Sequence, residues 1–432
     1  MLLLIAQKNI IQNNEYYVKV ESIEQLENDT YQITFDGFES RSFETFSSGT
    51  IWENYREITS NLFTLKLKSN SRRLKIWKIR DFENLWLILR TTSSNSGLKA
   101  TQYIDNSELF EVNEIFLHSI ETLPNDSKLS EDLSNFIQWN QNLQKDIESI
   151  QSHLKSIKPK GKQIHKLNVY NVGQGSLSAV TDQNNVPFFY FDLGGAWGPN
   201  KKSYLSRLKL CFTNTRTIIL SHWDLDHVET AKRIFRSTQS HDLDGIVWIA
   251  PKQNITAYYA KLAAQMSDSG TLLLWETNTP RPLDFWAGKL IKCNGSDKND
   301  SGLALLVNSP QNDIKSVLHP GDAAYKHIPN YIQLQLDGLV ATHHGAEFDD
   351  HNSPIPQSNV CRGAIVYSHG YGYGHPKINS IIAHARVGWA NIKETVDRGN
   401  IKGGNISFTL SNNNTNIPCN NVLCDLATKQ TF

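Results

Sequence analysis

Ser221-His222-Trp223-Asp224-Leu225-Asp226-His227 is the stretch on which the reading of this chain turns. It follows the apolar, strand-like Thr217-Ile218-Ile219-Leu220, so its side chains are expected on a loop at a strand end, where sites are usually built. His222, Asp224, Asp226 and His227 crowd potential ligands into one short run. Two carboxylates this close repel each other unless a cation or a proton compensates. A pair of divalent ions would do so, and imidazole together with carboxylate suits Zn²⁺ or Mn²⁺. The plainer alternative, a solvated turn with incidental charges, leaves that repulsion uncompensated.

Working outward, more candidate ligands stand at the ends of later apolar runs. Val317-Leu318-His319-Pro320-Gly321-Asp322 ends in a carboxylate. Leu339-Val340-Ala341-Thr342-His343-His344-Gly345 ends in two histidines. Ile365-Val366-Tyr367-Ser368-His369-Gly370 leads to Tyr373-Gly374-His375-Pro376. Upstream lie the glycine turn Asn171-Val172-Gly173-Gln174-Gly175-Ser176 and a strand-end aspartate in Phe191-Asp192-Leu193-Gly194-Gly195. Asn299-Asp300-Ser301-Gly302 precedes another apolar strand. One lone histidine in such places is more often structural than a ligand. The shared pattern of strand end, ligand and glycine is what singles these out.

In this order the motifs resemble the metallo-β-lactamase superfamily, and specifically the branch containing the C-terminal domain of the competence protein ComEC. The resemblance covers about residues 164–411 and implies an α/β fold, the metallo-β-lactamase αββα sandwich, with a two-metal site. It implies that His222 and Asp224 hold the first metal, that Asp226 and His227 hold the second, and that Asp322 bridges them. One of His343 and His344 would complete a shell, the sequence leaving open which. His375 would either ligate or donate to the leaving group, so Asp226 and His375 are the candidate catalytic residues. Asp192 would orient the metal-binding loop through hydrogen bonds, and Asn171 would support the site alongside it. The family often has Asp where Asn171 and Ser176 stand, and usually two glycines where Val228-Glu229-Thr230-Ala231 follows the metal run. These departures remove no proposed ligand but imply a differently shaped loop.

The chemistry implied is hydrolysis. Two cations about 3.5–4 Å apart can share a hydroxide that is nucleophilic near neutral pH, and they neutralise charge on an attacked phosphodiester. Aspartate at 224 in place of the usual second histidine hardens the first position and shifts preference toward Mn²⁺ without excluding Zn²⁺. In the branch it resembles, nuclease activity on DNA is the leading assignment, with phosphocholine esterase activity among more distant relatives.

The rest of the 432-residue chain frames this domain. Hydrophobic residues make up 39%, enough for a large core, and Lys+Arg and Asp+Glu are both 43, so net charge says nothing about partners and a nucleic-acid enzyme would need a local basic patch instead. The apolar start Met1–Ala6 is shorter than a secretory signal and reads as a strand edge. No stretch reaches the roughly 20 apolar residues that span a bilayer. No membrane partner is expected, and a cytoplasmic location is. The five cysteines, Cys211, Cys293, Cys361, Cys419 and Cys424, show no CxxC spacing, and buried thiols are the expectation.

Residues 1–125 read as a small β-rich domain of no recognised family. Tyr16–Val20, Tyr31–Phe35, Phe63–Lys68 and Trp86–Leu89 have strand character, with Asp36-Gly37 as a turn. Residues 126–163 read as a connecting helix and linker. Leu129, Leu133, Phe136, Leu143, Ile147, Ile150, Leu154 and Ile157 place one apolar seam over 129–157, with Asp126 or Ser127 as N-cap. Residues 164–432 then form the hydrolase domain. A DNA or other phosphodiester substrate would leave a basic trace, and Lys66, Lys68, Arg72, Arg73, Lys75, Lys78 and Arg80, with Trp77 among them, are the candidate surface. A solvated hairpin face explains the same residues. Lys158, Lys160 and Lys162 would extend such a surface.

Three functions are in play. The first is a metallo-nuclease or phosphodiesterase, and the second a metallohydrolase of a small-molecule ester or phosphodiester. The third is a metal-binding module of a multi-protein system, such as a defence system, docked through the N-terminal domain or helix 129–157.

Overall fold

The computed structural model describes residues 14–26, 30–68, 85–92, 97–105, 110–143, 147–158, 161–197, 210–237, 240–276, 282–309, 315–330, 334, 336–347, 353–359, 363–370, 373–396, 403–410 and 430–431. The chain divides into two compact units. The first is residues 1–141 with 255–265; the second is 142–254 with 266–432.

In the first unit six strands close into a barrel: β1 (Glu15–Leu26), β2 (Thr30–Glu39), β3 (Ser60–Lys68), β4 (Leu87–Thr92), β5 (Leu98–Asp105) and β6 (Phe110–Thr122), in the order β1-β2-β3-β5-β6-β4. Alternation sends Ile33 and Phe35 of β2 into the interior with Val18, Phe63, Leu65 and Leu89. Asp36-Gly37 is not a turn, because both residues lie inside β2. A Cβ at 37 would stand 1.9 Å from the Tyr17 carbonyl, so glycine here admits β1 rather than reversing the chain. Asp36 is buried and accepts from the Tyr258 backbone N–H at 2.7 Å, at the start of the helix Ala257–Ser269.

The single helix expected over 129–157 is two helices, Lys128–Ile137 and Ile147–Ser156. Ser127 caps the first, accepting from the Ser130 N–H at 3.2 Å. Phe136 then packs edge-on against Phe38 and Phe43. The chain turns extended at Gln138, whose carbonyl accepts from the Trp52 indole at 2.8 Å. These contacts, all within the first unit, end the helix. Ile150 and Leu154 of the second helix are buried in the other unit's core. Among the described residues, 138–143 are not helical, so the apolar seam expected over 129–157 does not lie on one continuous helix.

The second unit holds two sheets. One comprises β7 (Lys166–Val169), β8 (Leu177–Thr181), β9 (Pro187–Leu193), β10 (Thr217–Ile219), β11 (Val247–Pro251) and β12 (Thr271–Trp275). The other comprises β13 (Leu283–Phe285), β14 (Gly288–Lys292), β15 (Leu303–Asn308), β16 (Ser316–His319), β17 (Gly338–Val340), β18 (Ala364–Tyr367) and β19 (Asn391–Glu394). Finally β20 (Ile406–Thr409) and β21 (Gln430–Thr431) join the first sheet, giving the orders β12-β11-β10-β9-β8-β7-β20-β21 and β13-β14-β15-β16-β17-β18-β19.

One apolar cluster draws on both sheets: Phe189, Phe191, Ile219 and Ile249 from the first, Leu290, Leu305, Val317 and Val366 from the second. The alternate residues face outward. Trp248 meets Phe235 of the helix Leu225–Phe235, and Leu306, Leu318, Leu339 and Ile365 pack with Ala383 of the helix Ile378–Arg386. Strands covered on both faces explain why these stretches read as unbroken apolar runs. Among the described residues no helix is long and apolar enough to cross a membrane. Cys211 and Cys293 are buried free thiols, burial pushing Cys293 up to about 12; Cys361, Cys419 and Cys424 lie outside the described residues.

Candidate metal centre

β9 and β10 run parallel, as do β16, β17 and β18, and the segments leaving their carboxyl ends carry the candidate ligands. After β10 come His222, Asp224, Asp226 and His227, after β16 Asp322, and after β17 His343 and His344. Asp226 and His227 occupy the first turn of the helix Leu225–Phe235, for which Asp224 is N-cap, accepting from the Leu225 N–H at 2.7 Å.

The glycine turn is explained by this loop. The Asp226 carbonyl accepts from Ser176 N–H at 3.1 Å and Gly195 N–H at 3.0 Å, and a Cβ at Gly194 would stand 1.9 Å from it. Asn171 lies behind: its Oδ1 accepts from Gly173 N–H at 3.1 Å and shapes the turn.

Two groups of three ligand atoms lie within 4.8 Å of one another: His222, His227 and Asp322, and Asp226, His227 and His344. Across the two, His227 Nε2 stands 3.2 Å from Asp322 Oδ1 and 3.8 Å from Asp226 Oδ1. His344 Nε2 stands 3.1 Å from Asp226 Oδ2, and His222 Nε2 3.8 Å from Asp322 Oδ2. His222, His227, His344 and Asp322 are buried. Despite the nearby carboxylates, the Nε2 atoms of all three histidines lack a hydrogen bond. Of the paired histidines it is thus His344 that joins a group. His343 is half exposed with its Nε2 3.8 Å from Asp322 Oδ2, and lies in neither. Asp224 is also in neither; its Oδ2 is 3.8 Å from His222 Nε2 and 3.4 Å from Lys298 Nζ.

Each imidazole is held from its far side. Asp192 Oδ2 lies 2.9 Å from His227 Nδ1, and the Ser368 carbonyl 2.5 Å from His344 Nδ1. The Ser221 hydroxyl donates to Asp192 Oδ2 at 2.9 Å, so its lone pairs accept from His222 Nδ1 at 3.0 Å. Acceptors at every Nδ1 place the hydrogen there and turn each Nε2 toward the shared space. Asp192, His343 and His344 have left-handed backbones, φ 61°, 47° and 55°. Such conformations in non-glycine residues cluster where surrounding structure enforces geometry for function.

The electrostatics express a demand for cations. Burial pushes His227 down, but Asp322 and Asp192 overcome it and hold His227 well above the usual histidine range. Burial likewise opposes His344, yet Asp322 and Asp226 raise it to about 9. Asp322 and Asp224 are held below the usual carboxylate range against burial, Asp322 chiefly by His227 and His344, Asp224 chiefly by Lys298. Where protons sit on imidazoles between carboxylates, divalent cations fit the same field. The donor set and the convergence of the Nε2 atoms on Asp226 and Asp322 therefore suit a metal centre.

His375 stands beside this group, its ring centre 6.1 Å from that of His343, and it joins neither ligand set. Burial first, then His343 and His344, hold it well below the usual range, so it is neutral at pH 7. A pocket of about 210 Å³ opens beside Asp322, lined also by Asp297, Asn299, Asp300, Thr342, His343 and Glu347. Lys66 and Lys68 are exposed on β3; Arg72, Arg73, Lys75, Trp77, Lys78 and Arg80 lie outside the described residues, as does Lys160, and Lys162 pairs with Asp182 at 3.1 Å.

Several contributors carry no signal in sequence. Ser221 and His319 sit within stretches singled out above, yet neither has a ligand's pattern. His319, lowered to about 4 by burial, accepts from the Gly321 N–H at 3.3 Å and shapes the turn that presents Asp322. Ser368 acts through its carbonyl, which every residue possesses.

No family model and no curated protein matches the sequence. Among solved structures, the chain is similar to the metallo-beta-lactamase fold protein YhfI from Bacillus subtilis, with 13% identity over 56% of this chain and 99% of that chain and a TM-score of 0.34.

Proposed function

We propose that the protein is a dinuclear metal-dependent hydrolase of the metallo-β-lactamase fold, acting on phosphodiesters, with a nucleic acid as the leading substrate class. The observation that carries this is the convergence of three buried imidazole Nε2 atoms, none hydrogen-bonded, on Asp226 and Asp322. Two facing sheets with helices outside, and a site at the carboxyl ends of their parallel strands, agree with the resemblance drawn from the motifs.

His222, Asp224 and Asp322 would hold one cation, and Asp226, His227 and His344 the other, with Asp322 between them. When bound, the cations would supply Lewis acidity toward a phosphoryl group and an acidified water near neutral pH. Asp192 and Ser368 fix the Nδ1 hydrogens of His227 and His344, which keeps both Nε2 lone pairs available. His375, half-buried with its ring centre 6.1 Å from that of His343, would be the residue that donates to the leaving group. Lys66 and Lys68, exposed on β3, would contribute positive charge toward a polymer's phosphates.

A second reading, a small-molecule ester or phosphodiester, is favoured by the carboxylates Asp297, Asp300 and Glu347 lining the adjacent pocket, which disfavour a polyanion there. Purified full-length protein loaded with Mn²⁺ or Zn²⁺ and offered DNA, RNA and bis-(p-nitrophenyl) phosphate separates the two. Cleavage of a polymer supports the first, and turnover of the small diester alone supports the second. No hydrolysis of any of them by the loaded protein counts against both.

A further inference from the structure

Asp224 stands apart from the rest of the metal run. Its Oδ1 is committed to the Leu225 N–H at 2.7 Å, which leaves Oδ2 to face His222 Nε2 at 3.8 Å and Lys298 Nζ at 3.4 Å. Lys298 is not a chance neighbour, because its segment is fastened to this loop. The Lys298 carbonyl accepts from Gln253 Nε2 at 2.6 Å, the same Nε2 donates to Ser301 Oγ at 2.8 Å, and Gln253 Oε1 accepts from the Trp223 N–H at 3.2 Å. One buried amide therefore ties the residue after His222 to the segment that presents the lysine.

His227 belongs to both ligand groups, yet its Nε2 has one lone pair and can serve one cation. If it serves the position of Asp226 and His344, the position beside His222 is left with His222, Asp322 and Asp224. Asp224 meets that position through Oδ2, the oxygen 3.8 Å from His222 Nε2, and this is the oxygen Lys298 already faces at 3.4 Å. An entering cation must displace the ammonium or accept a like charge at close range, and either weakens binding.

We infer that Lys298 competes with a divalent cation for Asp224, so that the two positions load unequally: the one built by Asp226, His227 and His344 fills first, the one beside His222 second and more weakly. This rests on the two-cation reading above.

Calorimetric titration of the chelator-stripped full chain with Mn²⁺ tests it. The wild type is expected to bind in two steps that differ by at least about tenfold in affinity. Lys298→Gln should tighten the weaker step by about tenfold and leave the stronger unchanged, whereas Lys298→Arg, which keeps the charge, should preserve the wild-type ratio. Two equal steps in the wild type, or a weaker step that Lys298→Gln leaves unmoved, overturns the inference. The wild-type ratio stands even if a variant folds poorly, which far-UV circular dichroism would show. Failure of the wild type to bind Mn²⁺ or Zn²⁺ at all is a separate result, and it removes the two-cation reading itself.

Discussion

Asp192 holds His227 from behind, its Oδ2 2.9 Å from the imidazole Nδ1 with both side chains fully buried. The same carboxylate accepts from the Ser221 backbone N–H at 2.6 Å and from the Ser221 hydroxyl at 2.9 Å, so one group orients the loop and the ligand together. Asp192→Asn keeps the shape but removes the charge and sets its NH₂ against either the His227 Nδ1–H or the Ser221 N–H, both of which need an acceptor. Such partners typically matter 10–100-fold for metal affinity. Loss of about that size is expected for Mn²⁺ or Zn²⁺, measured by competition with a chelating dye. An affinity equal to the wild type's would show that Asp192 is structural alone.

The paired histidines should behave differently from each other. His344 is buried, faces Asp226 at 3.1 Å and is fixed by the Ser368 carbonyl; His343 is half exposed and lies in neither ligand group. His344→Ala is therefore expected to remove one cation from the count found by elemental analysis. His343→Ala should leave two bound and alter turnover instead, since its ring borders the pocket beside Asp322. The reverse pattern would exchange their roles.

What was legible in the sequence follows from which interactions are local. The His222–His227 run announces itself because adjacent carboxylates need compensation, and the strand-end positions of Asp322 and His344 follow from apolar runs ending in glycine. The partition of ligands was not legible. That Asp224 faces Lys298, or that His344 rather than His343 turns inward, depends on segments distant in sequence and on the left-handed backbone at both histidines. The apolar seam at 129–157 misled because period alone does not register a break, and Trp52 supplies it from far away at Gln138. Asp36-Gly37 misled for a related reason: glycine serves close approach as well as reversal, and Tyr17 occupies the space.

Gly194 offers a test of how the glycine turn serves the site. A side chain there would meet the Asp226 carbonyl at 1.9 Å and the Ser176 carbonyl at 2.4 Å, both backbone atoms of paired segments. Gly194→Ala should cost several kcal/mol, as overpacking against backbone does, and displace Asp226, lowering metal affinity as well. Gly245→Ala is the control. Its φ is 70° but nothing lies within 4 Å of the added carbon, so only the backbone cost of about 1 kcal/mol applies. Equal melting temperatures for the two variants would refute the close packing of 194 on 226.

Protonation of the metal-free centre should make its stability fall as pH rises. His344 is raised from 6.5 to about 9 in the fold, against burial, by Asp322 and Asp226. A folded pKa above the unfolded one means the contribution is complete below about pH 6.5 and is lost as pH rises through about 9. For a single buried group displaced this far it amounts to at most about 3 kcal/mol. His227, also raised, acts in the same direction, whereas Asp322 is depressed and loses its contribution only in strong acid, outside this window. Chelator-treated protein should therefore melt several degrees lower at pH 9.5 than at pH 6.5. A bound cation takes the protons' place between the carboxylates, so saturating Mn²⁺ should flatten that slope. Melting curves across the window, with and without Mn²⁺, decide the matter. A stripped protein that is equally stable at both ends, or a slope that Mn²⁺ leaves untouched, would mean that the cation does not replace protons on these two imidazoles.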